Sequence, residues 1–268
     1  TPLTGAGEWS LYGRLNDFPS GALNDWDAIP VDGALEVLVP NPADGDYYFS
    51  IYYSDATQED PPPGTYRVEV LDVARYVTHA ARGRGGIGGI VTQTIYGAGF
   101  EGGVAVELRA DGGGVLQQFT PSEISNSTLT VPMNLSAGLT PQVADIAVVW
   151  PDAGEHVLAG AFELVTGQPG KLEARLIANN AVRPNRVSTM WLEYENTGDW
   201  DIMAPIFTIG NPQSTKVRFS SEDPWHTGEL QVFGVNPNGP AGILPPGASN
   251  RIAIYFLPEV GNSLRFEW

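Results

Sequence analysis

The sequence predicts an all-β chain made of three consecutive β-sandwich domains. Three observations lead there. Short runs of four to eight residues, rich in β-branched and aromatic types, alternate apolar and polar positions and stop at Gly, Pro, Asn or Asp. No stretch sustains a 3.6-residue apolar period. Glycine (32) and proline (22) are too frequent for long helices and supply many turns.

The expected strands follow in order. In the first third they are LEVLVP (35–40), YYFSIYY (47–53) and TYRVEV (65–70). The middle third holds VTQTIYG (91–97), VAVELRA (104–110), TLTVPM (128–133) and DIAVVW (145–150). The last third holds TMWLEY (189–194), PIFTIG (205–210), LQVFGV (230–235) and RIAIYFLP (251–258). Their spacing is often close to the rhythm of about 8–12 residues found in sandwiches. Two stretches read as junctions: the side-chain-poor ARGRGGIGG (81–89) and the turn signal TGQPGK (166–171). They divide the chain into domains at 1–84, 85–168 and 169–268.

Each domain has its own candidate features. In the middle one, Gly97 and Gly99 permit a turn with positive φ, Phe100, Trp150 and Phe162 can fill the core, and Pro151–Gly154 forms a tight hairpin turn. VTQTIYGAGFEGGVAVEL, ISNSTLTVPMNLSAGL and ADIAVVWPDAGEHVLAGAFELV resemble an IPT/TIG domain, which implies an immunoglobulin-like fold over nearly all of 88–165. DGDYYFSIYYSD followed by PGTYRVEVLD is similar to a bacterial prepeptidase C-terminal-like module. VRPNRVSTMWLEYENTGDWDIMAPIFTI and GILPPGASNRIAIYF resemble an immunoglobulin-like module of secreted and surface proteins. Together the three resemble a repeating unit of large bacterial surface proteins, which implies an extracellular location and a structural, non-enzymatic role.

Composition narrows the partners. There are 31 acidic and 14 basic residues, a formal net charge of −17. Such a surface repels nucleic acid and anionic membrane. The absence of cysteine excludes disulfides, thiolate zinc sites and cysteine nucleophiles. No apolar run approaches the ~20 residues of a membrane-spanning helix. A chain that begins at Thr1 fits a mature, processed protein or a segment of a longer one.

Two acid–tryptophan–acid clusters, NDWD (24–27) and NTGDWD (196–201), raise the question of a repeated site. In the second, Gly198 is expected to supply a positive φ, and Asn196 to bond its own backbone. With Trp200 inward, Asp199 and Asp201 point outward by strand alternation. They are either solvated loop acids or candidate Ca²⁺ ligands with the Asn196 oxygen; calcium wants six to eight oxygens, and this loop offers three. Asp25 and Asp27 flank Trp26 in the same way.

Other candidates are weaker. His79, His156 and His226 are isolated in sequence. The G-x-G-x-x-G of Gly83, Gly85 and Gly88 follows no clear strand and opens no helix. No hydrolase or nucleotide-binding motif is present. Asn126 and Asn134 open N-x-[ST] sequons and are candidate glycosylation sites. The alternating aromatics of YYFSIYY suit a core, a protein contact or a glycan. The first segment reads as short of strands, which implies exposed sheet edges and strand exchange between copies through TPLTGAGEWSLYG or SLRFEW. The expected function is a head-to-tail filament subunit; the alternative is an adhesin or carbohydrate-binding arm.

Overall fold

The computed structural model describes residues 8–31, 34–54, 67–179, 181–210, 215–236 and 239–259, and among them every regular element is a strand. The chain is a tandem array of β modules. Of the two segments read above as strand donors, TPLTGAGEWSLYG is described from residue 8 onward, where EWSLYG pairs on both sides with strands of its own module, while residues 1–7 and the SLRFEW tail lie outside the described residues.

The first module contains β1 (Glu8–Leu15), β2 (Trp26–Asp27), β3 (Ile29–Val31), β4 (Ala34–Glu36) and β5 (Tyr47–Ser54). The sheet order is β2-β1-β5, with β3 and β4 forming a separate hairpin. Trp9 pairs with Tyr53 and Gly13 with Phe49 across β1 and β5. Gly13 lacks a side chain because one there would strike the Phe49 ring. The rings pack in pairs, Trp26 with Tyr47 and Phe18 with Tyr48. Phe49, Ile51 and Tyr52 are exposed, so among the described residues YYFSIYY does not take the first of its expected roles, a core strand. The TYRVEV strand is also corrected: its described residues, 67–70, form no strand, and Val70 is 87% exposed. Alternation describes what a strand would bury if a neighbouring sheet lay beneath it, and none of the described residues does so here.

The second module runs through β6 (Tyr76–Ala80), β7 (Arg84–Ile87), β8 (Ile90–Ala98), β9 (Ala105–Ala110), β10 (Val115–Phe119), β11 (Glu123–Ile124), β12 (Thr128–Asn134), β13 (Gln142–Val149) and β14 (Glu155–Thr166). Its two sheets have the orders β11-β12-β8-β6 and β10-β9-β13-β14-β7. The chain starts in one sheet as β6, then crosses to the other, where β7 runs parallel to β14. This is an immunoglobulin-like arrangement. The module therefore begins before Tyr76, and the expected boundary at 84/85 moves upstream into the irregular, exposed stretch 67–73. ARGRGGIGG is not a linker but the crossing between sheets.

The core of this module holds Phe162, Ile146, Leu108, Met133 and Leu129, all fully buried. Phe100 and Trp150 close one end, with Trp150 Nε1 donating to Gly99 O at 2.8 Å. Gly99 has φ of 72°, the left-handed conformation expected of it, whereas Gly97 does not. What requires glycine at Gly97 is the Tyr76 carbonyl, 2.2 Å from where a Cβ would lie.

The third module has β15 (Leu172–Ala178), β16 (Ser188–Asn196), β17 (Ile202–Met203), β18 (Ile206–Ile209), β19 (Lys216–Arg218), β20 (Leu230–Phe233), β21 (Ile243–Leu244) and β22 (Ser249–Leu257). A sheet of order β15-β16-β22-β19 accompanies the pairs β18-β20 and β17-β21. Met190, Leu192, Ile254 and Phe256 face inward against Phe207, Ile209 and Leu244. Tyr194 packs on Phe207 and donates its hydroxyl to Val235 O at 2.6 Å.

Candidate functional site

The chemistry concentrated in NTGDWD joins two modules. Asn196 ends β16 with its side chain fully buried. Its Nδ2 donates to Trp200 O (2.8 Å) and Leu244 O (2.9 Å). Its Oδ1 accepts from Lys171 N and Gly198 N, each at 3.1 Å. All four bonds that an amide of this kind makes are thus used. Gly198 does not have the positive φ expected of it; it is needed because a Cβ there would sit 2.3 Å from Pro169 O.

The loop then lies against the second module. Asp199 O accepts from Gly86 N at 3.1 Å, and Asp201 N donates to Ile90 O at 2.8 Å. Between them the Trp200 indole rests on bare backbone. A Cβ on Gly89 would lie 2.2 Å from Trp200 Cγ, and one on Gly167 would lie 2.5 Å from Nε1. Glycine is required here for close approach rather than for conformation. The side chains of the flanking acids complete the contact. Asp199 Oδ1 accepts from Arg84 Nη2 at 2.7 Å, and its Oδ2 accepts from Gln168 N at 3.3 Å. Asp201 Oδ2 accepts from Thr92 N at 2.8 Å and from Thr92 Oγ1 at 2.6 Å.

Asp199 and Asp201 are therefore not solvated loop acids, and that expectation is corrected. Alternation oriented them properly, but the space they point into is the surface of the neighbouring module. Their bonded oxygens face N–H and O–H donors, the opposite of what a cation requires. Among the described residues, no three His, Asp or Glu side chains gather to hold a metal ion. The Asn196 oxygen, third of the candidate ligands, faces two amide hydrogens.

Burial raises the Asp201 carboxyl above its ordinary value, against the opposing pull of its Thr92 hydrogen bonds and the Arg82 charge. Its Oδ1 and the Trp200 Nε1 are buried without a hydrogen-bond partner among the described residues. A carboxyl whose folded pKa lies above its unfolded one takes its proton more readily in the folded state, so its contribution to stability grows as pH falls from neutral toward the unfolded value. We expect the melting temperature of the native chain, relative to Asp201→Asn, to rise between pH 7 and about pH 4.5. Parallel melting curves of the two proteins across that range check it.

NDWD has a different role. Asp25 Oδ2 accepts from Leu15 N at 2.8 Å, Trp26 packs on Tyr47, and Asp27 is exposed. The two clusters are not one repeated site.

The remaining candidates are scattered. Asn126 and Asn134 are both exposed, Asn126 in the loop before β12 and Asn134 at the end of β12. His79 stacks on Tyr96 with ring centroids 4.5 Å apart, and burial lowers its pKa. His156 meets Tyr76 edge-on, and burial lowers its pKa against the pull of Glu36. The Tyr76 hydroxyl donates to Glu36 at 3.0 Å, a contact between the first and second modules. His226 bridges to Val217 through backbone alone. Gly83, Gly85 and Gly88 cradle no phosphate geometry; Gly85 faces the Phe162 ring in the core.

Arg84, Thr92, Gly86 and Gly89 are the functional residues that the sequence reading missed. The signal was present in GGIGG, a backbone nearly stripped of side chains at the end of β7 and the turn that follows.

No family model matches the chain, and no curated protein matches it. Several solved structures show weak likeness, among them the three that follow. The IG1+IG2 region of DIP-gamma shares 11% identity at a TM-score of 0.24, covering 66% of this chain and 93% of that one. A Salmonella alpha-2-macroglobulin mutant shares 11% identity at a TM-score of 0.29, covering 98% of this chain and 19% of that one. The complex of Dpr11 IG1 with DIP-gamma shares 11% identity at a TM-score of 0.22, covering 66% of this chain and 96% of that chain. Similarity at this level carries no inference about binding or assembly.

Proposed function

We propose that this chain is a non-enzymatic structural protein of the cell surface or extracellular space, with β modules held in line to make a stiff arm. Copies join head to tail into a filament, as separate chains or as tandem repeats. The observation that carries this reading is the second–third module joint. Two backbone hydrogen bonds, an ion pair, two bonds to Thr92 and a seated indole occupy one of the two places where the sequence sets acids beside a tryptophan. Chemistry available for catalysis or metal binding is used to fix geometry instead. The immunoglobulin-like topology of the second module fits the IPT/TIG resemblance.

Calcium has no part in this reading, so a chelator leaves the melting temperature of the full chain unchanged. Electron microscopy and sedimentation of the full chain test the assembly. Filaments or concentration-dependent oligomers are expected; a chain that stays monomeric at high concentration contradicts the filament. The adhesin reading draws on the exposed Phe49 and Tyr52. Glycan-array binding lost on Tyr52→Ala would favour it.

A further inference from the structure

The outer face of the third module's sheet is laid down in cross-strand rows. Arg175, Glu193 and Arg251 are direct neighbours across β15, β16 and β22. Two residues along, Trp191 lies between Ile177 and Ala253. Tyr255 and Arg218 pair in the row after that, and Lys216 pairs with Leu257 at the edge. The intervening rows, with Leu192, Ile254 and Phe256, point into the core. The outward row on the far side of Glu193 is acidic, with Glu173 opposite Glu195, and the rows in the other direction place Trp191 and Tyr255 among Arg251, Arg218 and Lys216.

Those cations are arranged for acids. The Arg251 guanidinium lies 4.6 Å from the Trp191 ring centroid, and that of Arg218 lies 4.3 Å from Trp225. A guanidinium held over an indole covers the ring face on which a sugar would stack, and it has already given up rotamer freedom. Its N–H edge is the part that meets a carboxylate. Among the described residues, no carboxylate lies within ion-pair distance of Lys216, Arg218 or Arg251. Arg82, Arg183 and Arg186 also lack one, but they are scattered, whereas Lys216, Arg218 and Arg251 share one sheet; Arg14, Arg67, Arg75, Arg84, Arg109, Lys171 and Arg175 are ion-paired. In a chain with more than two acids for every base, cations without acid partners on one sheet face are unexpected unless that face meets acids from elsewhere.

The complement lies at the other end of the chain. Residues 1–73 carry 13 acidic side chains and two basic ones. Asp44 and Asp46 are exposed there, just before the strand that carries the exposed Phe49 and Ile51. We propose that the Arg251–Trp191–Arg218 face docks the acidic first module of a second copy of this chain. This rests on the assembly reading above and names the two surfaces that meet. Opposite charge steers the approach, and the apolar residues on both sides supply the contact area.

Sedimentation velocity of the full chain tests it, at salt from about 20 to 500 mM, where screening shortens from a long to a short range. The wild type should self-associate at low salt and dissociate as salt rises. Variant one, Arg251→Glu with Lys216→Glu, should lose association at least about tenfold. Variant two, Asp44→Lys with Asp46→Lys, should lose it similarly. Circular dichroism checks that both are folded. Mixing the two variants should restore association, because each reversed face then finds an opposite charge on the other protein. If both variants assemble like the wild type, this pair of surfaces is wrong while head-to-tail assembly stands. If the wild type is monomeric at low salt, both fall. If the wild type is monomeric but binds sulfated glycan beads in a manner abolished by Arg251→Glu, the face serves an anionic glycan and the proposal is overturned.

Discussion

Replacing Trp200 with alanine should separate the unfolding of the second and third modules. The indole fills the space above Gly89 and Gly167, where neither module has another side chain to substitute. Its removal should destabilise the joint by roughly 3 kcal/mol, at the lower end of the range for removing a buried aromatic side chain. Calorimetry should resolve two transitions in the variant where the native chain shows a shared one. Gly89→Leu tests the same contact from the opposite side, since its side chain and the Trp200 ring cannot both occupy that space. The two changes should be strongly non-additive, because Gly89→Leu becomes better tolerated once the indole is gone. Full additivity would mean that Gly89 and Trp200 do not act on each other.

Asn196→Asp should be the most damaging isosteric change in the third module. The amide donates to the carbonyls of Trp200 and Leu244, and a carboxylate in its place donates to neither. Two buried carbonyls lose their partners and face a negative charge, which costs about 3–5 kcal/mol. The introduced carboxyl should titrate well above the ordinary range, since both burial and the facing carbonyls oppose its ionised form. The destabilisation should therefore lessen as the pH falls through that raised value. Chemical denaturation at neutral and mildly acidic pH measures both effects. Asn196→Ala, which adds no charge, should be destabilising without this pH dependence. If Asn196→Asp matches the native stability at neutral pH, the amide is not the hub described here.

Much of the middle module was legible because two signals agreed there. The runs at 91–97, 128–133 and 145–150 are rich in strand-forming residues with turn residues nearby, and each forms a strand; 128–133 buries alternate residues, while 91–97 and 145–150 bury consecutive ones. LEARLIA, which forms β15, was passed over because its charged residues and largely exposed positions leave little apolar pattern to read. TYRVEV erred in the other direction. Its valines alternate well, but Val68 and Val70 have no sheet to cover them.

The joint was half legible. Asp–Trp–Asp alternation gave the side-chain directions, and Asn196 was seen to bond its own loop. What lay in those directions was not readable, because Thr92 and Arg84 are 109 and 115 residues away in sequence. The glycine run shows the same ambiguity. A backbone without side chains suits a flexible link, and equally suits a surface on which an indole can rest. Only the three-dimensional pairing of Gly86 with Asp199 distinguishes the two.

The absence of cysteine makes the central claim directly measurable. Spin labels introduced at Thr120→Cys in the second module and Thr227→Cys in the third, both exposed, report the distance between modules. Pulsed dipolar spectroscopy should give a single narrow distribution in the native background, broadening when Trp200→Ala is added. A broad distribution in the native background, unchanged by Trp200→Ala, would mean that the two modules move independently and that NTGDWD does not hold them together.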